Sequence, residues 1–267
     1  MTVTALHPAY RRDHTPDEDT PWRGSVSPQR QNRHPALTRL VTLEIRKTLS
    51  TRSGRLLRGT AAVLPAVGIS TVLALGQDIP GAREMLAVVG SLVAILTLVV
   101  GILSTAGEWT HRTIQTTFLA VPRRVRVVAA KYLAAALTGA AITALMAAST
   151  LTITAIAAGP DFLWTGAVVA VAATIATGAA LAAVGAGIGA AITNTAAALT
   201  GTFVTLLIAL PVLAAVRPNI ADKIDPLAAM VNIVTDHQAA TAVTVLAGWI
   251  VVTTTAGAVI THRKAIP

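Results

Sequence analysis

A glutamate, a histidine and four arginines stand close together in residues 107–126, a polar insert between two long apolar runs. Glu108 and Arg112 are four residues apart, so they can form an ion pair along one helical turn. Glu108 and His111 do not have the HExxH spacing of a zinc-binding helix. Trp109 is suited to the boundary between membrane and water. The insert therefore offers ion pairing and a surface for contact rather than catalysis.

The rest of the chain carries no recognisable catalytic motif. It has neither the GxxxxGK[ST] loop that holds the phosphates of ATP nor the GxSxG turn of a serine nucleophile. Cysteine is absent, which excludes disulfides and thiolate metal sites, and the six histidines are scattered over tails and loops. We therefore expect no enzymatic activity, no catalytic residue, no metal and no cofactor in this chain itself.

The composition predicts a membrane protein. Of the 267 residues, 54% are hydrophobic and only 12% are charged, and the mean hydropathy is +0.67. Soluble domains carry about 25% charged residues. The net charge of +9 comes from residues in the N-terminal tail and beside apolar runs, where contact with anionic lipid explains it. Aromatic residues make up 3%, too few for stacking on bases, so no nucleic-acid partner is expected.

The apolar runs predict an all-α membrane protein with six transmembrane helices, because a helix needs about 20 residues to cross a bilayer. The six spans are predicted at residues 59–75, 85–106, 129–157, 163–190, 196–216 and 240–260. Basic residues are abundant in the tail, in the insert and at the C-terminus, and they are scarce in the alternate loops. This alternation predicts cytoplasmic N- and C-termini, and it places the insert on the cytoplasmic side.

Three regions are predicted along the chain: a disordered basic cytoplasmic tail (1–34), an amphipathic interfacial helix (35–57) and the six-span domain (58–267). The tail lacks the apolar core of a cleavable signal peptide. In the interfacial helix, Leu37, Val41 and Ile45 recur every four residues, with Arg46 facing elsewhere. Such a helix can lie in the membrane interface. A cytosolic helix that caps the bundle is the alternative.

Within the predicted spans we find no Asp, Glu, Arg or His, and Lys131 lies at an edge, which argues against a proton-driven transporter. Gly185 and Gly189 have the GxxxG spacing of closely packed helices, either within one subunit, which we favour, or in a dimer. Pro65 and Pro211 are expected to kink their helices. The outer segment 217–239 is predicted to form short helices or a solvated loop.

The insert itself allows two interpretations. Its apolar and basic groups can form a rigid knob through which a force reaches two membrane helices, or its arginines can simply orient the protein. Its pattern is a Gly-Glu-aromatic start, a basic-Thr-Ile-x-Thr-Thr middle, and Pro-Arg-Arg before a lysine. The matching residues are Gly107, Glu108, Trp109, Arg112, Thr113, Ile114, Thr116, Thr117, Pro122, Arg123, Arg124 and Lys131. This pattern resembles the first cytoplasmic loop of type 2 ABC exporter permeases.

Upstream residues resemble the N-terminal interfacial helix of the same family, namely Glu44, Arg46, Lys47, Thr51 and Arg52. The resemblance implies a plasma-membrane permease that works as a pair, each copy bound to a separate ATPase subunit that holds ATP and Mg²⁺. It further implies a coupling helix in the insert and an exporter that alternates between inward-open and outward-open states. An ion-gradient-driven carrier or channel, and a non-transporting membrane scaffold, are the alternatives.

The residue pattern and the resemblance together select the candidate site residues. Those of the ATPase-coupling loop are Glu108, Trp109, Arg112, Thr113, Ile114, Thr117, Phe118, Arg123 and Arg124. Those of the interfacial helix are Leu37, Val41, Glu44, Ile45, Arg46 and Lys47. No substrate-binding residue is assigned.

Overall fold

The computed structural model describes residues 36–50, 52–75, 81–111, 113, 124–157 and 162–264. Within these ranges every regular element is a helix, which confirms the all-α prediction. The helices are α1 (Leu37–Ser50), α2 (Arg52–Ala74), α3 (Ala82–Thr110), α4 (Arg124–Ala157), α5 (Ala167–Ile192), α6 (Thr195–Val216), α7 (Pro218–Ala221), α8 (Pro226–Thr235) and α9 (Ala239–Arg263). The predicted tail, residues 1–34, lies outside the described residues.

Five of the described helices are long and apolar enough to cross a membrane: α3, α4, α5, α6 and α9. The chain is thus a multi-pass membrane protein by helix length and composition. The first predicted span falls in α2, in which the apolar stretch found among the described residues is Ala62–Val72. The sixth span and the cytoplasmic placement of the termini remain predictions.

Two differences between the predicted and observed boundaries bear on the candidate site. The single helix predicted at 35–57 is two helices, since α1 ends at Ser50 and α2 begins at Arg52. α3 is longer than the predicted span at both ends, so Glu108 and Trp109 lie in its last turn rather than in a loop.

α5 is the central helix, and its glycines allow α3 to approach it closely. A Cβ atom on Gly185 would collide with the backbone carbonyl of Leu98, and one on Gly189 with that of Ile102. At the same crossing the Thr105 hydroxyl donates to the Ala186 carbonyl at 2.8 Å. The GxxxG pair therefore packs within one subunit, as favoured from the sequence, and its face is already covered by α3.

α6 contains a wider turn immediately before Pro211. Residues Thr205–Ala209 form a π-helical segment, in which each hydrogen bond spans five residues instead of four. A proline ring clashes with the carbonyl four residues earlier, which here belongs to Leu207. The widened turn accommodates this ring, so α6 continues through the proline to Val216.

The segment between α6 and α9 contains two short helices, α7 and α8. Of the two predicted alternatives, short helices or a solvated loop, the structure has the short helices. The Asp225 carboxylate caps α8 by accepting from the backbone N–H groups of Leu227 and Ala228 at 2.8 and 3.2 Å. Met230 of α8 is buried in the main core, the cluster that includes Leu86 and Leu98 of α3 and Leu181 of α5. At the end of α8, the Asp236 carboxylate pairs with Arg83 of α3 at 3.2 Å. This segment is therefore held against the bundle rather than free in solvent.

Candidate functional site

Four charged side chains from three helices meet at the end of α3, and we call them the charge cluster: Glu44, Lys47, Glu108 and Lys131. The Lys131 Nζ donates to Glu44 Oε1 at 2.9 Å and lies 2.6 Å from Glu108 Oε1. Lys47 Nζ donates to the same oxygen of Glu108. The charge cluster thus joins α1, α3 and α4 through two carboxylates and two ammonium groups.

Burial of the charge cluster makes these pairs interdependent. Glu108 and Lys131 are each only 5% exposed, Glu44 is 19% exposed and Lys47 is 49% exposed. Two ions are stable at such a site only when their geometry offsets the loss of hydration. Glu108 Oε2 is buried and has no hydrogen-bond partner among the described residues. Glu108 therefore depends on the two lysines that reach its other oxygen.

The apolar stripe of α1 positions the two residues that α1 contributes to the charge cluster, Glu44 and Lys47. Val41 is buried against Ala130 and Ala134 of α4, and Ile45 packs beside them. Glu44 and Lys47 are three residues apart and so lie on one side of α1. α4 therefore covers part of the stripe, while Leu37 remains exposed and is available to lipid.

The last turn of α3 also contacts α6 and α9. Lys264, which follows α9, lies over the Trp109 ring with its Nζ 5.3 Å from the ring centroid, close enough for a cation–π interaction. The Thr110 hydroxyl accepts from the backbone N–H of Thr195, the first residue of α6, at 3.2 Å. The point where α3 leads into the insert is consequently attached to α1, α4, α6 and α9.

Among the described residues, the cavity beside the charge cluster is too small for a substrate. The cavity against Trp109, Lys131 and Tyr132 has a volume of about 10 Å³, room for a single water molecule. Within the described ranges, no group of three or more His, Asp or Glu side chains could hold a metal ion. The arrangement is suited to holding helices together and transmitting their movement.

The structure describes only part of the predicted coupling loop. Glu108 and Trp109 lie in α3, and Thr113 lies in an exposed turn. Arg124 lies in the first turn of α4, with its side chain outside the described part. The other predicted residues lie outside the described residues: Arg112, Ile114, Thr117, Phe118 and Arg123. The predicted pairing of Glu108 with Arg112 stays a prediction, whereas pairing of Glu108 with the two lysines was missed.

A signal for these pairs was present in the sequence. Glu108 and Lys131 are isolated charges beside long apolar runs, and each requires a partner of opposite sign when buried. Of the residues predicted on α1, Glu44 and Lys47 reach the cluster, Val41 and Ile45 pack on or near α4, and Leu37 and Arg46 are exposed. The sequence could not show that α1 lies beside α3 and α4.

Comparison with known proteins adds no family. No protein-family model matches this chain, and no curated protein matches it. The function is therefore inferred from the geometry of the charge cluster and from the loop pattern described above.

Proposed function

We propose that this chain is the permease subunit of an ATP-driven exporter of the type 2 ABC class. It works as a pair in the plasma membrane, and each copy binds a separate ATPase subunit on the cytoplasmic side. ATP and Mg²⁺ are held by that ATPase. The observation that carries the proposal is the attachment of the last turn of α3, which forms the start of the insert, to four other helices.

These attachments would let the insert act as a lever. A coupling element must transmit a displacement to the transmembrane helices. A loop that is joined to the bundle only through a flexible segment of backbone would move without moving those helices. Here Glu108 links α3 to α1 and α4 through Lys47 and Lys131, and Thr110 links it to α6. A push on the insert would accordingly move several spans together, which alternating access requires.

The outer surface of the bundle leaves room for a second permease. In the apolar windows of α6 and α9, only 11% and 17% of the residues are buried within the chain. Lipid or another copy of the chain must cover the rest in a membrane. The exposed faces of α6 and α9 therefore offer apolar surface on which a second permease can pack.

The coupling role predicts the behaviour of the Glu108→Gln variant. The amide keeps the shape of the carboxylate and one acceptor oxygen but loses the charge that attracts Lys47 and Lys131. In the complex with its ATPase, reconstituted in lipid, we expect ATP hydrolysis to persist. Nucleotide trapped on the ATPase should change hydrogen exchange in α1 and α4 of the parent protein, and this change should fall severalfold in the variant.

The Glu84→Gln variant is the matched control, because Glu84 is exposed on the first turn of the same helix, at its other end. It should respond to nucleotide like the parent protein. A full nucleotide response in Glu108→Gln would contradict the coupling role of Glu108. Failure of any ATPase to bind the parent chain, with transport driven by an imposed ion gradient instead, would favour a carrier or channel.

A further inference from the structure

The described part of the loop before α5 presents an exposed aromatic pair, and we call residues 162–164 the aromatic loop. The Phe162 and Trp164 rings meet edge to face, with their centroids 5.0 Å apart. Trp164 is 43% exposed, and Leu163 between the two rings is 59% exposed. No residue from 162 to 192 carries a charge. The exposed side chains of the aromatic loop are therefore apolar over most of their surface.

The backbone fixes the aromatic loop to the start of α3, at the end of that helix opposite the charge cluster. The Ala82 N–H donates to the Leu163 carbonyl at 2.9 Å. The Arg83 guanidinium lies against Gly166, where a Cβ atom would collide with the Arg83 Nε. Trp164 is therefore held at a fixed height relative to α3.

Charged and apolar surfaces both occur immediately around the aromatic loop. Arg83, which touches Gly166, pairs with Asp236, and the aspartate is 63% exposed. Two residues after Gly166, the Val168 side chain is 83% exposed. An exposed ion pair requires water, whereas exposed valines at the start of a membrane-spanning helix are suited to acyl chains. Such a change over a few residues is expected where the membrane meets water.

The Trp164 indole has a donor that the protein does not use. Its N–H makes no hydrogen bond among the described residues, whereas the Trp249 N–H donates to the Ile224 carbonyl at 2.7 Å. An indole that has an exposed ring and a free N–H is suited to the membrane interface, where one side is apolar and the other is hydrated. The ester and phosphate oxygens of a phospholipid supply acceptors at that depth.

The length of α3 agrees with this placement. Ala82 and Trp109 are 27 residues apart in α3. At the helical rise this separation is about 40 Å. A bilayer with its headgroup layers is about 40–45 Å thick. Trp164, beside the start of α3, and Trp109, in its last turn, are thus spaced like the aromatic residues of two opposite membrane interfaces.

We propose that the aromatic loop anchors this end of the bundle in the phospholipid headgroup layer. The Trp164 ring lies beside the first carbons of the acyl chains, and its indole N–H donates to an ester or phosphate oxygen of a phospholipid. The anchor needs no ATPase partner, so it stands independently of the proposed function.

Tryptophan quenching in phosphatidylcholine bilayers tests the depth of the ring. The acyl chains carry bromine either near the glycerol end or near the methyl end, and the Trp164 emission is the difference between the parent chain and Trp164→Phe. We expect severalfold stronger quenching of this difference by bromine near the glycerol end. The control is the Trp249→Phe difference, since that indole lies ten residues into α9, about 15 Å from its start. It should show no preference for the glycerol end.

A unique thiol beside the aromatic loop tests the anchoring itself. Thr165→Cys, in purified protein in lipid discs, should react slowly with a water-soluble maleimide and severalfold faster when Trp164→Ser is added. His237→Cys, at an exposed position next to Asp236, is the matched reporter, and Trp164→Ser should leave its rate unchanged.

Three results would overturn the proposal. Quenching of the Trp164 emission that is stronger from the methyl end would place the ring in the bilayer core. No quenching by either lipid, with a Thr165→Cys rate unaffected by Trp164→Ser, would place the aromatic loop in water. A change in oligomeric state in Trp164→Ser, with unquenched Trp164 emission in the parent, would assign the loop to contact with a second copy.

Discussion

The free energy of unfolding of the Lys131→Met variant is expected to be about 3–5 kcal/mol lower than that of the parent protein. This is the usual cost of removing one partner from a buried ion pair. Methionine replaces the lysine stem at similar volume but removes the ammonium that Glu44 and Glu108 share. Two carboxylates would then face each other with only Lys47 nearby. Reversible unfolding in lipid–detergent mixtures, followed by tryptophan fluorescence, measures the difference.

Lys47→Met provides the matched control because it removes the same charge from the same cluster at a half-exposed position. Exposed pairs contribute about 0–1 kcal/mol, so this variant should lose far less. Adding Glu108→Gln to Lys131→Met should recover part of the loss, since fewer unpaired charges remain buried. Equal losses at both lysines, or no loss at Lys131, would contradict the account of the charge cluster.

Gly185→Ala is expected to weaken the packing of α3 against α5 by about 3 kcal/mol, the upper end of the cost of overpacking. The added methyl group would collide with the Leu98 carbonyl, a backbone atom that cannot turn aside as a side chain can. The two helices would have to separate along their most extensive contact. The same unfolding assay measures the effect.

Gly201→Ala is the corresponding control, since a Cβ atom there meets nothing within 4 Å. Alanine favours a helix over glycine by about 1 kcal/mol, so this variant should be as stable as the parent or slightly more stable. If both glycine variants changed stability equally, close backbone approach at Gly185 would not be important to the fold.

The helical architecture was predictable because the length of each run of apolar residues can be read directly from the sequence. Runs of apolar residues identified five long helices, and Gly185 and Gly189 indicated close packing within the subunit. The helix ends were less predictable. α3 extends to Thr110 because Lys47 and Lys131 compensate Glu108, so a charge that would end a span in isolation remains within the helix.

The site was predictable only in part, for a related reason. The loop pattern selected Glu108 and Lys131, and the interfacial-helix pattern selected Glu44 and Lys47. No spacing rule connects the members of the ion pairs, which are 23 to 87 residues apart in the chain. Their meeting depends on α1 lying on α4, which the packing of Val41 against Ala130 determines. The attachment of the aromatic loop to α3 was likewise invisible, since it joins distant parts of the chain.

The central claim is that the insert after α3 faces the cytosol and contacts a separate ATPase. The chain has no cysteine, so Thr113→Cys provides a unique thiol at an exposed turn, and Asp222→Cys provides one at the other end of the bundle. In cells that coexpress a candidate ATPase subunit, one sample of each variant is treated with an impermeant maleimide and a second, unlabelled sample is treated with a membrane-permeant bifunctional cross-linker.

We expect Thr113→Cys to react with the maleimide only after the cells are opened and to form a cross-linked product that contains the ATPase. Asp222→Cys should react in intact cells and form no such product. Labelling of Thr113→Cys from outside, or the absence of an ATPase cross-link from an insert that is accessible in the cytosol, would contradict the account.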